Sequence, residues 1–204
     1  MKPQLLPDQD IVAGLQAQAR SLGASATGIL PAPSLVIEAR FALMCANPTP
    51  CPSYGLAPGC PPHAPEPEDF KRILQDFHTV LVFKIDAPVT ELLGEKRLPL
   101  ARTVHRIAAT LERSAFSRGI NKAKGMAAGS CKELFCGEEK VCVVLAKEAP
   151  CRWPELARPS ISAVGVDFAA MAHQLSWPFG KLTSTSETTS ADAMGLMAGL
   201  VLLG

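Results

Sequence analysis

The sequence predicts one α+β or α/β domain over residues 1–204, with a mixed β-sheet flanked by helices and with two cysteine-rich loops. Several segments repeat apolar residues at helical spacing, and several short apolar runs between them suit strands. These two kinds of segment do not alternate strictly, as they would in a parallel α/β fold. A chain of 204 residues is also long enough to bury a sizeable core without disulfide bonds.

The first third of the chain begins with a helix and continues into a long irregular segment. Asp8 or Asp10 can cap a helix over residues 9–22. Residues 24–37 contain two short apolar stretches that suit two brief strands, or a strand and a loop. Prolines crowd residues 47–67, so we expect neither helix nor strand there.

The rest of the chain contains the remaining predicted helices and strands. In chain order they are a helix at 70–77, a buried strand at 79–85, a helix at 100–118, a strand at 141–146, a helix at 169–175 and a strand or helix at 194–203. Ser160 and Asp167 are candidate caps before the helix at 169–175. The polar run at 183–190 predicts a surface loop.

The charges of the chain are balanced, and its N-terminal residues carry no export signal. With 20 Lys and Arg against 19 Asp and Glu, nothing predicts binding to nucleic acid or to an anionic membrane. Residues 1–8 lack the apolar stretch of a secretory signal. The most apolar window, 193–203, has about half of the roughly 20 residues that a membrane-spanning helix needs. We therefore expect a cytoplasmic protein that spans no membrane.

The cysteines lie in two short segments, 45–63 and 129–160. An odd number of cysteines without an export signal favours reduced thiols that ligate metal over disulfides. The first segment has the spacing C-x5-C-x8-C, and the second repeats this spacing after one further cysteine. All seven are candidate metal ligands: Cys45, Cys51, Cys60, Cys131, Cys136, Cys142 and Cys151.

Four thiolates around one centre indicate either zinc or an iron–sulfur cluster. Structural zinc usually uses paired C-x2–4-C knuckles, and neither segment has two of them at the usual spacing. A 4Fe–4S cluster often takes its ligands from an irregular loop together with a more distant cysteine. The quartet that fits this description is Cys131, Cys136, Cys142 and Cys151. We therefore expect one or two 4Fe–4S clusters, with zinc as the alternative.

The first segment offers only three cysteines, so a cluster there would have one iron without a thiolate. Such an iron is open to water, to substrate or to His63, which follows Cys60 closely. In the second segment, Cys142 lies in an apolar run, where its alternative interpretation is a buried strand residue without metal. The other histidines are interpreted as surface or packing residues: His78, His105 and His173.

Two groups of motifs resemble those of a known family. The first is Cys51-Pro52-Ser53-Tyr54-Gly55 followed by Cys60-Pro61-Pro62. The second comprises Gly129-Ser130-Cys131, Pro150-Cys151-Arg152 and Ala157-Arg158-Pro159-Ser160. From about residue 24 to its end, the chain resembles the predicted metal-binding proteins of anaerobic bacteria and archaea that are classed as a domain of unknown function. The resemblance implies a metal, with a 4Fe–4S cluster as the first candidate, in the cytoplasm of an anaerobe, and it assigns no reaction.

Three functions are compatible with these residues. The first is electron transfer, or another redox accessory role, through one or two clusters and with a redox partner protein. This function needs few polar groups besides the ligands, and few polar residues accompany the cysteines. The second is a metalloenzyme with an open iron held by Cys45, Cys51 and Cys60. The third is a structural zinc protein. The sequence leaves open whether the protein is an enzyme, and it does not define the oligomeric state.

Overall fold

The computed structural model describes residues 8–179 and 193–204 and has an α+β fold. Its helices are α1 Gln9–Ser21, α2 Ala39–Leu43, α3 Pro67–Leu74, α4 Val89–Leu93, α5 Arg97–Ser117, α6 Cys131–Phe135 and α7 Phe168–Gln174. Its strands are β1 Ala26–Pro31, β2 Thr79–Pro88, β3 Ala123–Met126 and β4 Met194–Leu203. Two single 3-10 turns lie at Ala32–Ser34 and Ser162–Val164.

The four strands form one sheet in the order β1-β2-β4-β3. Every neighbouring pair is antiparallel, so the prediction of a mixed sheet was wrong in this respect. No two neighbouring strands are linked by the helical crossover that parallel pairing requires. The longest pairing joins β2 to β4, from Thr79 opposite Leu203 to Pro88 opposite Met194. The two longest strands therefore form the centre of the sheet.

Alternate residues of the central strands face two separate layers. On one side, Leu81, Phe83 and Val201 pack against α1 and α5. On the other side, Val80, Val82 and Leu202 contact Phe70 of α3 and Met171 of α7. Because both faces are covered, β2 and β4 are apolar almost throughout and do not alternate with polar residues. The sheet is the middle layer of a three-layered core.

Most of the longer predicted helices and strands are confirmed. Asp8 caps α1 through its side chain, which accepts a hydrogen bond from the backbone N–H of Asp10. Asp167 caps α7 in the same way, whereas Ser160 caps no helix. The last apolar stretch is strand β4. Apolar periodicity locates all the confirmed helices, and a side-chain cap marks the start of α1 and α7.

Three shorter predictions have mixed outcomes. Of the two alternatives for residues 24–37, the strand followed by a loop is confirmed: β1 is a strand, and residues 35–37 contribute only one bridge, between Ile37 and Val166. The predicted strand at 141–146 is wrong: these residues form turns, and Val141 is 61% exposed. A bond from the N–H of Ala146 to the carbonyl of Cys142 curls this segment on itself, so its backbone has no partner strand. The polar run at 183–190 lies outside the described residues.

The edge strand β3 connects the core to the cysteine segments. Gly125 lies so close to α5 that a Cβ atom there would be 2.8 Å from the carbonyl oxygen of Ala108. After β3, Ala127 forms a bridge with Ser160, and the chain then reaches Cys131. The rigid core therefore fixes where the second cysteine segment begins.

His105 ties the segment before Ser160 to helix α5. Its side chain is fully buried, and its Nδ1 accepts a hydrogen bond of 3.1 Å from the backbone N–H of Arg158. The pKa of His105 is lowered to about 4, mainly by burial and with a smaller contribution from the nearby Arg158 guanidinium. The ring is therefore neutral at physiological pH.

In the described residues, no helix is long and apolar enough to cross a membrane.

The low pKa of His105 predicts that the protein loses stability as pH falls from about 6.5 to about 4. In this range the unfolded chain takes up a proton at His105 and the folded chain does not. The free energy of unfolding therefore falls by an amount on the order of 3 kcal/mol. Denaturant titrations at a series of pH values measure this loss. The decrease of the free energy of unfolding with falling pH should be smaller in His105→Gln. It should persist in His173→Gln, because His173 is exposed. Equal slopes in the wild type and His105→Gln would contradict the assignment.

Candidate metal centres

The second cysteine segment surrounds one cavity of about 340 Å³. Its four thiols all line this cavity: Cys131, Cys136, Cys142 and Cys151. Apolar side chains such as Phe70, Met126 and Trp153 form much of the remaining wall. The quartet that the sequence singled out is thus brought together in space, and Cys142 faces the cavity with the others. All seven cysteines of the chain are free thiols.

Helix α6 and one buried lysine position the first part of this segment. Cys131 is the first residue of α6, and Cys136 follows its last residue. Lys132 is only 8% exposed, and its Nζ donates hydrogen bonds of 2.5 Å to the carbonyl oxygens of Cys136 and Glu139. The ammonium group thereby fixes the turn that leads towards Cys142.

A second buried cation, Arg158, lies on the same wall of the cavity. Its guanidinium donates to the carbonyl oxygens of Pro154 and Ala157 and lies 3.0 Å from a carboxylate oxygen of Glu112. Its Nε is buried and has no hydrogen-bond partner. Lys132 therefore brings a positive charge to a cavity lined by thiols and acts against the rise that burial causes in the pKa of Cys136, whereas the charge of Arg158 is balanced by Glu112.

The first cysteine segment surrounds a separate cavity of about 220 Å³. Its three thiols, those of Cys45, Cys51 and Cys60, line this cavity. The loop is held by its own backbone, since the N–H of Cys51 donates to the carbonyl of Cys45 at 2.9 Å. Hydroxyl side chains and one ion pair complete the lining: Ser53, Tyr54, Ser130, Ser160, Ser162, Arg97 and Glu133. This lining is more polar than that of the four-cysteine cavity.

The histidines lie away from both cavities. His63 is exposed, and its Nε2 lies 3.2 Å from the carbonyl oxygen of Gly55, so its ring does not line the three-cysteine cavity. His105 is a packing residue and His173 is exposed, as predicted. His78 lies between α3 and β2 and not on a helix.

The two cavities lie back to back and share their walls. At three places, two residues that are adjacent in the chain line different cavities. In each of these pairs the first named lines the four-cysteine cavity and the second lines the three-cysteine cavity: Gly59 and Cys60, Pro159 and Ser160, and Val164 and Ala163. Ser130 and Cys131 are divided in the same way. Gly59 permits this arrangement, because a Cβ atom there would lie 2.7 Å from the Cα of Pro159.

Burial and neighbouring thiols raise the pKa of Cys131 in one cavity and of Cys45 in the other. Burial is the main reason that the pKa of Cys131 rises to about 12, and the neighbouring Cys60, Cys151, Cys142 and Cys136 add to the rise. Burial likewise raises the pKa of Cys45, with additional effects of Cys51 and Cys60. Without metal, Cys131 is a neutral thiol at physiological pH. Cys60 contributes to the raised pKa of Cys131 although the two residues line different cavities.

The donor chemistry of the two cavities suits a metal held by thiolates. Within residues 8–179 and 193–204, no three His, Cys, Asp or Glu side chains are close enough together to hold one metal ion. Four thiols nevertheless line one cavity, and a cluster receives its thiolates at separate iron atoms, which lie further apart. The four cysteines that line this cavity would hold such a cluster, which supplies one-electron redox chemistry when bound.

Several features of the site carry no clear signal in the sequence. The residues Ala123–Met126 have little strand character, yet β3 places the second segment. In the sequence, nothing distinguishes Lys132 from a lysine that faces solvent, and only the structure shows that it is buried. The closeness of Gly59 to Pro159 joins residues that are 100 positions apart. A glycine before a cysteine suggests a close backbone approach, but not its partner.

No curated protein and no solved structure matches this chain. One protein family does match, over residues 28–203, and this region contains all seven cysteines together with β2 to β4 and most of β1. The matched region covers most of the chain, including both cavities. The chain therefore belongs to the family described as "Predicted metal-binding protein (DUF2284)".

Proposed function

We propose that this protein binds two iron–sulfur clusters and transfers single electrons to or from a redox partner protein in a reducing cytoplasm. The observation that carries the proposal is the pair of adjacent cavities, one lined by four thiols and one by three. We assign a 4Fe–4S cluster to Cys131, Cys136, Cys142 and Cys151. We assign a second cluster to Cys45, Cys51 and Cys60.

The surroundings of the four-cysteine cavity suit electron transfer. Apolar side chains shield much of the cavity, and a low-dielectric site reorganises little when one electron arrives. The buried charge of Lys132 offsets part of the negative charge of a thiolate-ligated cluster. In the described residues, this cavity contains no histidine or carboxylate that would act as a general acid or base.

The shared walls support transfer between the two centres. Tunnelling rates fall steeply with distance, and only single peptide units separate the two cavities at Gly59–Cys60 and Ser130–Cys131. An electron that enters at one centre would therefore reach the other without a further cofactor.

An exposed apolar surface next to the first cysteine segment suits a partner protein. Leu43 and Met44 precede Cys45, and their side chains are 58% and 67% exposed. Tyr54 and Leu56, between Cys51 and Cys60, are exposed as well. Exposed apolar groups that are gathered in one place mark interaction sites. We propose that the partner docks here, beside the three-cysteine centre.

The three-cysteine cavity also favours a second candidate function, a metalloenzyme with an open iron. Its hydroxyl groups and the Arg97–Glu133 ion pair offer polar contacts that a small substrate would need. A structural zinc protein is supported less well, because neither cysteine segment has two C-x2–4-C knuckles at the usual spacing.

Iron and sulfide contents provide the direct test. After purification without oxygen, we expect about eight irons and eight sulfides per chain, with absorption near 400 nm that bleaches on reduction. Cys151→Ala should remove about half of the iron and leave the first centre, and Cys51→Ala should do the reverse. Stoichiometric zinc without sulfide or colour would refute the proposal. Loss of all iron in every single variant would contradict two separate centres.

The buried Lys132 should matter for retention of the four-cysteine cluster. Lys132→Met removes two hydrogen bonds from the turn after α6 and one buried charge, so the cluster should be lost several-fold faster to a chelator. Lys140→Met is the matched control, because Lys140 is exposed in the same segment. Absorbance at 400 nm during incubation with the chelator measures the loss. Equal rates in the two variants would show that Lys132 has no special role.

A further inference from the structure

Ser130 stands out among the residues around the three-cysteine cavity. It is 4% exposed, and its Oγ is buried without a regular hydrogen-bond partner. Among the described residues, it is the only hydroxyl group in this condition. A buried hydroxyl without a partner costs about 1–3 kcal/mol, so such groups are rare unless something satisfies them.

The position of Ser130 in the chain makes its lack of a partner more notable. It is the N-cap residue of α6, where a serine side chain normally accepts a hydrogen bond from the first turn of the helix. Ser130 makes no such bond. Its hydroxyl instead lines the cavity of the first cysteine segment and interacts with the thiol of Cys60. The side chain is thus directed to the cavity and away from the helix.

The other candidates for a fourth ligand do not combine burial of the donor atom with the lack of a regular partner. Ser53 and Ser160 also line the cavity and are 7% and 8% exposed, but among the described residues only the Ser130 hydroxyl oxygen is buried without a regular partner. His63 contacts the carbonyl of Gly55 and does not line the cavity. Glu133 is paired with Arg97. Tyr54 is 37% exposed. Apart from its interaction with the Cys60 thiol, the buried Ser130 oxygen has no partner, and it lines the same cavity as the three thiols.

We propose that the Ser130 oxygen is the fourth protein ligand of the centre held by Cys45, Cys51 and Cys60. This inference rests on the proposed function, since it requires a cluster at that centre. The oxygen binds iron as an alkoxide, and the hydroxyl proton passes to solvent, because a metal ion lowers the pKa of a bound oxygen. The iron that lacks a thiolate is then closed to external ligands.

The test compares the wild type with Ser130→Ala and Ser130→Cys, each purified without oxygen and enriched in ⁵⁷Fe. Ser117→Ala is the matched control, because Ser117 is an exposed serine on α5. Mössbauer spectra are recorded before and after addition of ethanethiol, a small external ligand. Iron and sulfide contents of the wild type are measured first, so that absence of clusters, which would refute the proposed function, is recognised separately.

In the wild type and in Ser117→Ala, we expect about one iron in eight to have a distinct oxygen-ligated signal that ethanethiol does not change. In Ser130→Ala, that iron should shift on addition of ethanethiol. In Ser130→Cys, it should resemble the thiolate-ligated irons without any addition.

Two results would overturn the inference while leaving the clusters in place. One is a wild-type spectrum that shifts with ethanethiol as Ser130→Ala does, which would favour the open-iron enzyme. The other is a spectrum of Ser130→Ala that equals the wild type. If Ser130→Ala loses the first centre altogether, recovery of that centre in Ser130→Cys supports ligation. Loss in both variants overturns ligation and assigns Ser130 a packing role.

Discussion

The two candidate centres depend on the close approach of backbone segments far apart in the sequence. Gly59 packs against Pro159, the N–H of Ser160 donates to the carbonyl of Gly59, and the N–H of Ala127 donates to the carbonyl of Pro159. Because these contacts involve backbone atoms, they leave the adjacent side chains free to face either cavity. One set of contacts therefore positions Cys60 and Cys131, the cysteines that lie nearest the common wall.

The core fixes one side of the wall that the two cavities share, and the cysteine loops form the other side. Residues 127–131 follow directly from β3, which pairs with β4 and packs on α5. His105, also on α5, holds the backbone of Arg158 from the opposite direction. The loops are held by hydrogen bonds between their own backbone groups, and in the second segment the buried Lys132 adds two more. A bound cluster would supply the remaining order, because metal binding in such sites is coupled to folding.

The sequence predicted much of the fold, and it predicted which cysteines share a cavity. Apolar periodicity and capping residues were sufficient for α1, α5 and β2, because their burial follows a regular pattern. The run at 141–146 has the composition of a strand, but pairing requires a partner, and this segment turns back on itself. The adjacency of the two cavities and the role of Ser130 depend on contacts between distant residues, which local spacing does not encode.

The central claim is that two clusters lie next to each other, and their magnetic interaction tests it most directly. We would record electron paramagnetic resonance spectra of the fully reduced protein and of two variants, each with one centre removed. Adjacent clusters predict a wild-type spectrum that is broadened and split relative to the sum of the two variant spectra. A wild-type spectrum equal to that sum, or the signal of one cluster only, would contradict the account.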